Sequence, residues 1–156
     1  MAKIQHIIDP RSELYATLAQ VIGGIEDIKH VDLWNQNVEF IEKDIPWPRP
    51  AVFVEFESIT WKTIKGDEFY RRYLRGDGTL RLHIVTDWVD GGQEKALSLS
   101  ANIWEELFNG EWDLSENPSF EIAFPSQSVT NHNHDEILET VDVFAVRYLV
   151  GLGPLG

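Results

Sequence analysis

Thr79-Leu80-Arg81-Leu82-His83-Ile84-Val85-Thr86-Asp87-Trp88 alternates along its length, and that alternation decides the fold. Leu80, Leu82, Ile84 and Trp88 project to one side of an extended chain, Arg81, His83 and Asp87 to the other. Period two of this kind predicts a strand with one face on a core and one face polar. His83 lies on the polar parity, where a lone imidazole reads as a surface or interface residue rather than a general base.

Upstream, Ala51 to Trp61 repeats the pattern, with Val52, Val54 and Phe56 opposite Glu55 and Glu57. Between these strands the spacing predicts a projecting hairpin arm. It covers Lys62 to Gly78, has a strand-like middle (Phe69 to Leu74), and ends in a Gly76-Asp77-Gly78 turn. Pro46-Trp47-Pro48-Arg49-Pro50 is a stiff lead, because three prolines fix φ and remove donors. Ile28 to Asn35 reads as a short strand, and Gln36 to Asp44 carries no clear period. Asp9-Pro10 opens a helix as cap and first helical residue. Leu14, Leu18, Val21, Ile22 and Ile25 share a face of it before Gly23-Gly24 ends it.

Downstream, Glu94 to Phe108 predicts a second helix with Leu97, Ile103, Trp104, Leu107 and Phe108 inward and Asn109-Gly110 as its stop. Phe120, Ile122 and Phe124 form the apolar parity of a strand, and Pro125 to Glu136 reads as a loop. Leu138 to Val150 is apolar on both parities, so it is central in the sheet or covered twice. The order predicts a two-layer α+β domain over residues 1–150: a mostly antiparallel sheet of about five strands, two helices on one face, and a projecting hairpin arm. Residues 151–156 are expected to be a flexible tail.

Composition excludes several classes. At 43% hydrophobic and 12% aromatic over 156 residues, the chain can bury a core. With no Cys it holds no disulfide, thiol nucleophile or Cys-ligated metal, which fits a reducing cytoplasm. No apolar run approaches the ~20 residues needed to span a bilayer, so no membrane partner is expected. The start has one Lys and no small-residue cleavage site, and is not expected to be a signal peptide. A formal charge of −13 argues against sequence-reading DNA binding. That charge is uneven: residues 1–78 hold 10 basic and 13 acidic side chains, residues 79–156 only 3 against 13. Lys62, Lys65, Arg71, Arg72, Arg75 and Arg81 make a basic island. It reads either as one of two solvated faces or as one half of a complementary contact between copies.

Chemistry is sparse. His132-Asn133-His134-Asp135 could offer two imidazoles and a carboxylate to a metal, but lacks further ligands at motif spacing and reads as a polar turn. No Gly-x-Ser-x-Gly elbow and no phosphate-binding loop is present. Glu55, Glu57 and Lys62 lack nuclease-type spacing, and Arg75-Gly76-Asp77 is explained by a turn. No catalytic residue, cofactor or metal is expected.

In the order of its elements the chain resembles the tail-terminator and tail-completion proteins of long-tailed bacteriophages and prophages. The resemblance runs from Leu14 to Tyr148. It rests on the N-terminal amphipathic helix, the lead Trp47-Pro48-Arg49-Pro50 into Ala51-Val52-Phe53-Val54-Glu55, and the arm. The strand Leu80 to Asp87, the helix Glu94 to Phe108 and two closing strands complete it. The Asn131 to Glu136 loop and the long proline lead depart from it.

The resemblance implies a structural homo-oligomer, commonly a hexameric ring, that caps the tail tube and joins it to the head. Its partners would be other tail or connector proteins, and DNA would pass through without specific binding. Such a protein is made in the host cytoplasm and assembled into the virion tail. It implies no cofactor and no catalytic residue. Phe69, Tyr70, Arg71, Arg72, Tyr73 and Arg75 on the arm are the interface candidates. Two other readings remain: a small metal-binding or hydrolytic enzyme using His132 and His134, and an acidic domain that binds a basic partner.

Overall fold

The structure, a computed structural model, describes residues 9–34, 47–65, 71–88, 91–109, 120–131 and 136–154. The elements run α1 (Pro10–Gly23), β1 (His30–Leu33), β2 (Ala51–Lys65), β3 (Arg71–Asp87), α2 (Gly92–Asn109), β4 (Phe120–Asn131) and β5 (Ile137–Pro154). The five strands form one sheet in the order β1-β2-β3-β5-β4. β1 pairs parallel to β2, and every other pairing is antiparallel. The two helices cover one face, as the alternation in the sequence predicts.

Local chemistry sets the ends of α1. The Asp9 carboxylate accepts from the Arg11 backbone N–H at 3.0 Å, Pro10 occupies the first turn, and Gly24 closes the last. Leu14, Leu18 and Ile22 are then fully buried against Val52, Val54, Leu80, Leu82 and Ile84. Each such side chain contributes about 1.5–3 kcal/mol. From α2 come Leu99, Ile103 and Leu107. Gly92 starts α2 where a Cβ would lie 1.7 Å from the Asp87 carbonyl oxygen, so a larger residue cannot pass there. Thr86 Oγ1 donates to the Gly92 carbonyl at 2.9 Å and ties the helix start to β3.

Several expectations are corrected. Gly76-Asp77-Gly78 is no turn but mid-strand, within β3. Its glycines make room for neighbours: a Cβ on Gly76 would meet Trp61 Cζ3 at 2.6 Å, and one on Gly78 would meet Ile59 Cγ1 at 2.6 Å. Trp61 lies across Gly76 to reach Tyr148 on β5, ring centroids 5.9 Å apart.

The expected loop after Phe124 is strand as far as Asn131, because an outer strand tolerates Pro125 and two register breaks. Gly151 to Pro154 are no loose tail, since their backbone pairs with Arg71 to Tyr73. Trp88 lies beyond the end of β3 and is exposed rather than in the core. Leu97 and Phe124, expected inward, are 62% and 73% exposed. Leu97 lies off the buried stripe of α2, and β4 leaves its regular register after Ile122.

Candidate functional site

Three strands outrun the helical layer. The main core reaches Ile59 on β2 and Tyr148 on β5 among the described residues. Past the row Trp61–Gly76–Tyr148 the sheet continues through the pairs Lys62–Arg75, Thr63–Leu74 and Ile64–Tyr73, with Leu149, Val150 and Gly151 opposite on β5. The expected two-stranded arm is therefore a three-stranded blade, stiffened by β5. Lys62, Ile64, Tyr73, Arg75 and Leu149 share its face away from the helices, and Leu149 is 41% exposed. At its base Asp77 collects two cations, Arg75 at 3.3 Å and Arg147 at 3.5 Å. Arg81 faces Glu57 at 3.0 Å. Arg75 Nε and Arg81 Nε make these approaches as charge contacts, not as aligned hydrogen bonds. An open hollow of about 500 Å³ lies here, lined by Ser58, Thr60, Asp77, Glu121 and Arg147 among others.

Nearer the middle, the same face is not the wet surface that its polar parity suggests. Trp47, Ala51, Phe53, Val85 and Ile137 form a second small core, with Trp34 packed against it. His83, expected at the surface, is 5% exposed. Its Nε2 lies 2.8 Å from Glu55 Oε1 and its Nδ1 3.2 Å from Glu139 Oε2. The Trp34 indole stacks on the ring with centroids 3.9 Å apart and planes 2° from parallel. Asn131 Nδ2 donates to the other Glu139 oxygen at 3.4 Å. Both imidazole nitrogens are thus engaged and one ring face is covered, so the group joins β2, β3, β4 and β5 to the residue that follows β1 and has no free nitrogen for a substrate proton.

A second buried carboxylate serves the helical side. Asp142 accepts from Ser128 Oγ at 2.7 Å, from Trp104 Nε1 at 3.1 Å and from Ser100 Oγ. Two donors come from α2 and one from β4, so this carboxylate sets where α2 sits on the sheet. Such charge-assisted bonds are what allow a carboxylate to be buried at all. Neither His83 nor Asp142 announces this role in the sequence. Their partners lie 28 to 56 residues away for His83 and 14 to 42 for Asp142, and only the pairing of strands and the packing of α2 on the sheet bring them together.

Ionisation is shifted mainly near the start of α1. Burial pushes the Tyr148 phenol up to about 12, against the opposing pull of Arg11. The Arg11 side chain, hydrogen-bonded to Asp9, lowers that carboxyl below its ordinary value. Burial raises Tyr15, with Asp32 adding to the effect.

Of the interface candidates, Tyr73 and Arg75 stand on the blade, half-buried, in register with Ile64 and Lys62. Arg71 and Arg72 are the first residues of β3, opposite Pro154 and Gly153. Phe69 and Tyr70 lie outside the described residues, as do His132, His134 and Asp135. Among the described residues, no group of three or more His, Asp or Glu is placed to hold a metal ion. No helix among them is long and apolar enough to cross a membrane.

The fold is thus α+β, a mostly antiparallel five-stranded sheet with two helices on one face. No family model matches the chain, and no curated protein matches it.

Proposed function

We propose that this chain is a structural subunit of a phage or prophage tail, forming a ring that terminates or completes the tail tube and joins it to the head. The observation that carries the reading is the blade. Three paired strands extend past the core with Ile64, Tyr73 and Leu149 beside Lys62 and Arg75, on a subunit whose later half holds 13 acids against 3 bases. A ring built head to tail needs two different, complementary patches on each subunit, and this distribution supplies them. The engaged state of His83 and the absence of a catalytic motif in the sequence favour a scaffold over an enzyme. An acidic lining also suits a conduit, because it repels phosphate and lets a duplex pass without sticking.

Removing the gene from the phage or prophage that carries it tests the reading by electron microscopy of lysates. Separate heads and tails, or tails of irregular length, are expected, with joined virions restored by a plasmid copy. Normal virions without the gene would exclude the role.

A further inference from the structure

We infer that the flank where α2 meets β4 is the receptor for the blade of a second copy of this chain. The inference rests on the ring reading above and gives its two contact surfaces. Leu97, Ala101, Trp104 and Phe108 recur along α2 at spacings of four, three and four residues, so they lie on one side of the helix. That side faces β4: Trp104 bonds Asp142, which Ser128 also holds, and Phe108 lies 4.4 Å from Phe124 by ring centroid. Leu97 and Phe124 mark the exposed ends of this apolar strip. No described element covers it, and among the described residues β4 is the outer strand of the sheet.

Charge selects the occupant. Glu94 and Glu105 border the strip at helical spacing, and Asn109 Nδ2 holds the Glu105 carboxylate at 3.1 Å. β4 brings no Lys or Arg to this flank, and its Glu121 lies on the other face of the sheet, opposite Arg147. The one cation of α2, Lys95, lies at the opposite side with Lys29, Arg49 and Asp87. An apolar strip beside two acids fits an apolar surface that carries a pair of bases. The blade is that surface: Lys62 and Arg75 are paired in one row with Leu149 beside Arg75, and Ile64 and Tyr73 are paired in the next row, with Arg75 also facing Asp77. β2, β3 and β5 build the blade while α2 and β4 build the receptor, so one subunit cannot satisfy itself within a continuous sheet. The contact is heterologous, the kind from which a ring is built when its rotation closes.

Cross-linking tests this, because the chain has no cysteine of its own. A variant carrying both Leu97→Cys and Leu149→Cys, treated with a bis-maleimide, should give a ladder of covalent oligomers, whereas either change alone gives none beyond a dimer. In parallel, Glu94→Lys with Glu105→Lys, and Lys62→Glu with Arg75→Glu, should each weaken self-association about tenfold by light scattering. The four changes together should restore it, with circular dichroism reporting the fold. Wild-type association without a ladder or without rescue overturns the docking and leaves the ring standing. A wild-type protein that stays monomeric up to its solubility limit overturns the ring, and the docking with it.

Discussion

Among the described residues, Tyr148 is the group whose ionisation burial shifts furthest. Its side chain is 1% exposed between α1 and Trp61, and burial moves its phenol from 10.0 to about 12. Below pH 10 the group is neutral in the folded and the unfolded chain, so it adds no pH dependence. Between pH 10 and about 12 the unfolded chain gives up the proton first, and stability falls as pH rises, by up to about 1.4 kcal/mol per pH unit. Above that window the loss is complete. Urea unfolding of wild type and Tyr148→Phe across this range should show the wild type losing its advantage, while the variant lacks this component. The sequence places Tyr148 on an apolar parity and so foretells its burial. It foretells the face of His83 as well, but not its burial, because Trp34, Glu55 and Glu139 arrive from three other strands or their ends.

At the scale of elements, the three-strand row of Trp61, Gly76 and Tyr148 shows how a local signal misleads. Two glycines around an aspartate look like a turn when only neighbours in sequence are weighed. In the sheet they are vacancies filled from the side, a known way for an aromatic side chain to protect glycine in a strand. Gly76→Ala separates the readings. In an ordinary strand it would add about 0.5–1 kcal/mol by reducing backbone entropy. Here the new methyl meets the Trp61 ring at 2.6 Å, and overpacking of this kind costs about 1–3 kcal/mol, so the net effect is destabilising. Denaturant titration should show that loss, and Trp61→Ala should remove most of the added penalty. The long alternating strands and both helices were legible because each repeats its period many times. The outer half of β4 was not, because Ser126 to Asn131 is polar and owes its extended form to pairing with β5.

For the whole molecule, charge is the property that reaches furthest. The formal charge of −13 opposes contact with phosphate at every distance that salt does not screen, about 8 Å in physiological buffer. Duplex DNA at ~150 mM salt should therefore bind weakly or not at all in a gel-shift assay. Tight binding with a steep salt slope would contradict both the electrostatics and a conduit role. The two charge-biased halves were visible in the sequence. That Lys62 and Arg75 stand side by side on a three-stranded blade was not, since that depends on β5 pairing along β3 to its first residue.

The position of β5 also bears on how the chain is made. It lies between β3 and β4, yet it is synthesised after both. Asp87 ends β3 and Ile137 begins β5, so roughly 50 residues must be added before pairing starts, about 3–10 s at ~5–20 residues per second. Through that interval the nascent β2–β3 hairpin offers an open edge to any neighbouring chain on the polysome. The segment made in that interval, residues 88–136, holds ten acidic side chains against the single cation Lys95, and this like charge on adjacent nascent chains keeps them apart until β5 closes the sheet.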